Sequence, residues 1–180
     1  VIPKYKKGVS KTTKNDSEIE KSNKENKLTG KVGEKLALKY FNDLIDNKID
    51  EDKKEQFRNI LNDNPGSQHG HGYDLVAFDP TNTDKAVEKF IEIKTSTSSS
   101  IEEPFFMSLN EMFALKEYKK YLILRIFNVS GKEPQFYFID PYANYSEFKD
   151  VDDLIDKVFN VEAIQYKVFG EKWLLEQELK

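Results

Sequence analysis

From about Gly30 apolar residues recur at helical spacing: Val32, Leu36, Ala37, Leu38, Tyr40, Phe41, Leu44 and Ile45. This period predicts an amphipathic helix that Thr29 and Gly30 can open and Asn47 can close. Residues 48–56 are almost all charged and read as a loop or short helix. Phe57 to Leu61 fits strand or helix. Asn62 to Gly72 is punctuated by Asn64-Pro65-Gly66 and by Gly70 and Gly72, which marks a loop. Tyr73 to Asp79 and Val87 to Thr95 read as strands joined by a turn at Pro80 to Lys85, hence a hairpin. Thr95 to Ser100 is a polar loop. Ser108 and Glu111 have capping-box spacing and open a second helix running to about Tyr118. Strands follow at Tyr121 to Val129 and Gln135 to Asp140, around a turn at Gly131. A short helix near 151–159, a strand at 161–169 and an amphipathic piece carrying Trp173 complete the chain. Helix, strands, helix, strands predicts an α/β fold with a mixed central sheet.

Composition narrows the class. The chain has 180 residues, of which 38% are hydrophobic and 33% charged. That is enough for one sizeable domain, or a domain plus an arm. Thirteen Phe, nine Tyr and one Trp supply core material despite the high charge. No apolar run approaches the length of a membrane span, and no signal-peptide pattern stands at the start. With no Cys, disulfides and thiolate zinc sites are excluded, and a reducing cytoplasm is the expected location. The chain begins at Val1 and has Met only at 107 and 112, so it is expected to be part of a longer protein.

Charge is uneven. Residues 1–31 hold nine Lys against four acids, a net of +5, so the total of −4 leaves −9 for residues 32–180. Residues 1–27 are expected to be a flexible basic arm or linker, because Lys, Asn, Ser, Thr and Glu dominate there. Residues 28–180 are expected to form the domain. An acidic domain argues against tight, non-specific DNA binding by its whole face, although the arm could touch phosphates.

Candidate chemistry lies on the hairpin. In Phe90-Ile-Glu-Ile-Lys94 the two-residue period puts Glu92 and Lys94 on one face and Ile91 and Ile93 on the other. Asp74 opens the partner strand and shares a face with Val76 and Phe78, where an acid is costly unless paired or bound to a cation. Asp74 and Glu92 can therefore lie side by side. A hard divalent cation would relieve their repulsion and could acidify a bound water. Lys94 could orient that water or neutralise developing charge. A structural Asp–Lys ion pair across the hairpin is the simpler reading of the same residues. In the first helix, Ala37, Leu38, Phe41 and Ile45 fall within about 60° of Glu34 on a helical wheel, so its carboxylate is expected to point along the buried stripe.

Gly33-Glu34 on a first helix, Gly72-Tyr-Asp74 opening a strand and Glu92-Ile-Lys94 on the next resemble the PD-(D/E)xK nuclease superfamily. The runs Gly72 to Asp79, Phe90 to Ser96 and Pro104 to Glu111 resemble more closely the domain at the C-terminus of NO VEIN-type proteins. That domain is related to Mrr-like restriction endonucleases and is often fused to helicases or other ATPases. The resemblance covers about residues 28–140. It implies a restriction-endonuclease-like αβββαβ core with a mixed central sheet flanked by helices. It also implies Asp74 and Glu92 as ligands of Mg²⁺ (or Mn²⁺), with the Ile93 carbonyl as a third. Lys94 would be the catalytic lysine and Glu34 an accessory acid. Tyr73 stands where the superfamily name has Pro.

The expected function is thus that of a metal-dependent DNA endonuclease domain, part of a larger bacterial restriction or antiviral defence protein. DNA and the parent's other domains would be its partners, with a homodimer left open. The alternatives are a catalytically silent nuclease fold that binds DNA or scaffolds an assembly, and a protein-interaction domain. Lesser features carry simpler readings. His69 and His71 are expected on a solvated loop, and Thr95 to Ser100 on a flexible one. Phe105, Phe106, Phe113, Phe127, Phe136, Tyr137 and Phe138 are expected to be mostly core.

Overall fold

The computed structural model describes residues 16–61 and 71–159, with side-chain surroundings defined from Lys24 onward. The elements are α1 (Asp16–Lys48), α2 (Lys54–Ile60), β1 (Leu75–Phe78), β2 (Glu88–Thr95), α3 (Leu109–Glu117), β3 (Tyr121–Phe127), β4 (Gln135–Ile139) and α4 (Val151–Val158). The strands form one sheet in the order β1-β2-β3-β4. β1 and β2 are the expected antiparallel hairpin, β2 and β3 run parallel, and β3 and β4 are antiparallel. The parallel pair requires a crossover, and α3 provides it. The α/β class with a mixed sheet is as expected. Among the described residues only two strands, not three, stand between α2 and α3. Phe57, ambiguous in sequence, is buried in a helix and packs edge-to-face on Phe78 with ring centroids 4.8 Å apart.

The sheet has two unlike faces. On one, Ile91, Ile93, Leu122, Leu124 and Ile126 meet Ala37, Phe41 and Ile45 of α1, and Ile49 just beyond it, in a single apolar cluster. Tyr40 stacks on Phe136 at 4.9 Å, and Phe41 meets Phe78 edge-on at 5.2 Å. The alternate residues Glu92, Lys94, Ile123 and Arg125 face the other way, toward α3. All of β3 is buried, as expected of a strand in the middle of a covered sheet. Asn128, directly after β3, has a left-handed φ of 53°, a region Asn tolerates better than most residues.

α1 differs from the sequence reading. It begins at Asp16, not near Gly30. Residues 16–27 carry one large apolar residue, so no apolar period announces this part of the helix. Thr29 does not cap a helix start: its hydroxyl donates to the Glu25 carbonyl one turn back (2.9 Å), inside the helix. Lys24 to Leu28 are exposed. The chain divides into two compact units at Phe148. In the second, α4 is capped by Asp150, which accepts from the Asp153 amide (2.8 Å). The strand expected at 161–169 and the piece with Trp173 lie outside the described residues. No described helix is long and apolar enough to cross a membrane.

Candidate functional site

β1 and β2 pair in a register that sets Leu75 opposite Ile91. Just before β1 the Asp74 amide also donates to the Ile91 carbonyl (2.9 Å), one residue off that register, so the regular ladder stops here and Asp74 is bulged against β2. Asp74 is still near enough for its charge to act on Glu92. Past the end of β1 the Ile93 amide has lost its strand neighbour, and Oδ2 of Asp74 takes its place, accepting at 2.8 Å. Asp74 is thereby held by β2 itself. Gly72, just before it, has a φ of +74°, and a Cβ there would come within 2.6 Å of the Ala114 Cβ on α3. Only glycine allows the chain to enter β1 this close to the helix.

Glu92 is 4% exposed. Its Oε1 lies 2.7 Å from Nζ of Lys94, and the same ammonium is 2.7 Å from Oε2 of Glu111. Glu111 is the third residue of α3. Its Oε2 also accepts from the Ser108 amide (3.0 Å), while its own amide donates to the Ser108 hydroxyl (3.2 Å). The capping box legible in the sequence is therefore also a clamp on Lys94. Tyr121, fully buried at the start of β3, donates its hydroxyl to the Gly72 carbonyl and lies 3.5 Å from Oε2 of Glu92.

Three carboxylates share one ammonium, and the electrostatics follow from that shortage. Burial, then the charge of Asp74, pushes the Glu92 carboxyl up to about 8, against the pull of Lys94. Asp74 keeps contact with solvent, yet the protein packed around it raises its carboxyl too. The Ile93 amide and Lys94 oppose that rise, and the charges of Glu34 and Glu111 add to it. Burial would lower the Lys94 ammonium, but Glu92 and Glu111 outweigh it and hold it above its ordinary value. Burial likewise raises the Tyr121 hydroxyl.

Glu34 corrects an expectation. It is exposed and does not point along the buried stripe. The buried row of α1 is Gly33, Ala37, Phe41 and Ile45, continued by Ile49 just past its end. A row of fourth residues drifts around the helix, so at the level of Glu34 the contact passes through Gly33 and Ala37. Glu34 therefore stands at the rim, near enough for its charge to act on Asp74. Gly33 sets that approach: a Cβ there would lie 2.0 Å from Oγ1 of Thr95 on β2.

The remaining sequence candidates separate from this group. His69 lies outside the described residues. His71 is exposed, its ring 5.8 Å from that of Tyr73, and it lines a cleft of about 270 Å³ with Asn110, Phe113 and Tyr118. The Thr95 to Ser100 segment is not loose. Ser96 and Ser98 hydroxyls accept from the amides two residues on (3.0 Å each), and the Ser96 amide bonds the Ile126 carbonyl (2.8 Å). Of the aromatic residues expected in the core, Phe127 is buried, while Phe106, Phe113 and Tyr137 are exposed. Phe113 lies on α3 and Tyr137 on the outer strand β4, at positions turned to solvent, and Phe106 precedes α3. Glu111, Tyr121 and Arg125 were not singled out by sequence. The first looked like a cap only, and the others like members of an apolar strand.

The Asp74–Glu92 pair is the group that could hold a hard divalent cation. Oxygen donors, excess negative charge and one solvent-facing member fit Mg²⁺, which uses one or two carboxylates and keeps several waters. No set of three His, Asp or Glu side chains in ligand arrangement occurs among the described residues. Ile93 contributes its amide to Asp74, and its side chain lies in the core. Comparison with curated proteins gave no match, nor did comparison with solved structures. A family model described as Protein NO VEIN, C-terminal, matches residues 33–139. The match opens at the glycine that lets α1 touch β2, closes at the end of β4, and takes in more than half of the chain. The chain belongs to the NO VEIN C-terminal family.

Proposed function

We propose that this domain is a metal-dependent endonuclease of the PD-(D/E)xK type, hydrolysing phosphodiester bonds of DNA. The observation that carries the reading is a buried Glu92 beside Asp74, whose carboxylate is held by the next amide of the same strand, with a lysine two residues on clamped between two carboxylates. In the αβββαβ core that this reading implies, α1, β1, β2, α3 and β3 supply five elements.

Asp74 and Glu92 would hold Mg²⁺ or Mn²⁺, with the Ile93 carbonyl as a third donor. When bound, the ion lowers the pKa of a water and offsets negative charge on the phosphate. Lys94 stays protonated and presents a compact positive charge beside the acids, where it orients the attacking water or offsets charge on the phosphate. Glu111 keeps that ammonium from swinging away, and Tyr121 fixes the Gly72 carbonyl, hence the entry to Asp74. Glu34 acts from the open rim as an accessory acid. The domain would serve a larger cytoplasmic restriction or antiviral defence protein, in which a helicase or other ATPase selects the target.

A second reading is a silent nuclease fold acting as a scaffold. The exposed Phe106, Leu109 and Phe113 and the net −9 of residues 32–180 favour it. Supercoiled plasmid incubated with Mg²⁺ or Mn²⁺ separates the two. Nicking by the wild type but not by Asp74→Ala is expected; equal, background-level nicking by both would leave the scaffold.

A further inference from the structure

Beside Lys94 lies a cation that the proposed chemistry leaves unused. Arg125 pairs with Lys94 in the parallel register of β2 and β3, on the same face of the sheet. Adjacent strands are about 4.8 Å apart, so the two positive side chains rise from neighbouring positions. Arg125 is 4% exposed, yet among the described residues no carboxylate stands within ion-pair distance of it. Its Nη2 donates to the Glu103 carbonyl (3.1 Å), and its guanidinium carbon sits 4.3 Å from the Phe105 ring centroid and 4.7 Å from that of Phe127. Its Nε is buried with no hydrogen-bond partner.

This is an expensive way to fill a core. A buried charge is normally paired, and well-packed apolar residues of similar volume often stabilise a protein more. Two aromatic faces and one carbonyl offset only part of the cost. Burial accordingly pulls the guanidinium below its ordinary pKa. The cover is slight: Phe105 and the Glu103 carbonyl belong to a segment between β2 and α3 whose residues 101–104 and 106 are exposed. A planar guanidinium with an unused N–H, next to the lysine of an acidic site, is suited to a tetrahedral oxyanion.

We propose that Arg125 is a phosphate-binding residue of the nucleic-acid strand that passes Lys94, held in the free protein by Phe105 and the Glu103 carbonyl and released to the strand when that cover turns aside. The inference rests on the nuclease-fold reading for the class of ligand, but not on cleavage.

The test is therefore binding in EDTA, by fluorescence anisotropy of a dye-labelled DNA duplex with the full chain. Arg125→Met keeps the volume and removes the charge. It should weaken binding about tenfold or more, and should lower the slope of log affinity against log salt by about one. It should melt no lower than the wild type. Phe105→Ala leaves Arg125 in place and removes its cover, so it should bind at least as tightly as the wild type, and it settles the matter if Arg125→Met fails to fold. An RNA duplex and inorganic phosphate run alongside identify which source of phosphate is taken. Unchanged affinity and slope in Arg125→Met, weaker binding by Phe105→Ala, or no binding of DNA or RNA by the wild type would overturn the inference. Plasmid cleavage with binding indifferent to Arg125 removes this inference alone. Arg125-dependent binding without cleavage removes the nuclease reading alone.

Discussion

The two faces of β2 are built on opposite principles, though they alternate residue by residue. Ile91 and Ile93 enter a cluster with α1 in which no charged side chain takes part. Glu92 and Lys94, one step away, enter a group where three acids compete for one ammonium and one carboxyl is pushed up to about 8. The first face stabilises the fold by area removed from water. The second costs stability, and β2 tolerates it because the first face holds the strand in place. A locally unfavourable arrangement anchored on a favourable one is what a working site looks like.

The contrast can be tested from both sides. The largest effect is expected on the apolar face. Phe41→Ala should cost about 3–5 kcal/mol and lower the melting temperature by roughly 10 °C. A melt within a few degrees of wild type would mean that α1 is not the support of the sheet. On the polar face, Lys94→Ala should leave the melt nearly unchanged but lower single-turnover cleavage by on the order of 10²–10³. Lys94→Arg should not restore it, since a planar guanidinium cannot sit between Glu92 and Glu111 as an ammonium does. Cleavage by Lys94→Ala near the wild-type rate would remove the lysine from the mechanism.

Gly33 joins the two faces. Gly33→Ala puts a methyl 2.0 Å from Oγ1 of Thr95 and should cost about 1–3 kcal/mol while drawing Glu34 away from Asp74. Thr95→Ala in the same chain should recover part of both losses, and a calorimetric double-mutant cycle without coupling would refute the contact.

The smallest effect concerns pH. Glu92 takes up its proton in the folded state near pH 8 but in the unfolded chain near the ordinary carboxylate value. Between those limits the folded protein holds the extra proton, so stability should fall as pH rises from about 5 to 8. Glu92→Gln should flatten that slope and raise the pH 8 melt by a few degrees. If both proteins show the same slope across this window, the buried carboxyl is not its source. Added Mg²⁺ should stabilise the wild type more at pH 8 than at pH 6, because the ion takes the ionised form.

How far the sequence could be read depended on how local the determining geometry was. Asp74, Glu92 and Lys94 were legible because a period of two and one short turn place them. Glu34 was misjudged because angles summed over eleven residues ignore the drift of the row that makes the contact. The start of α1 was missed because residues 16–27 have no apolar period to reveal a helix. Tyr121 and Arg125 are placed by a parallel pairing across α3, and no local pattern specifies that register. Glu111 was read correctly as a cap, but its second partner comes from a strand seventeen residues back.

That double use of one oxygen has a dynamic consequence. The carboxylate that closes the first turn of α3 is also the one that grips Lys94. Helix ends fray more readily than cores open. Each time the first turn of α3 melts, Lys94 loses half of its anchorage, so helix fraying and lysine release are a single event. Amide hydrogen exchange at Ser108 and Glu111 then becomes a clock for the freedom of Lys94, readable without any substrate.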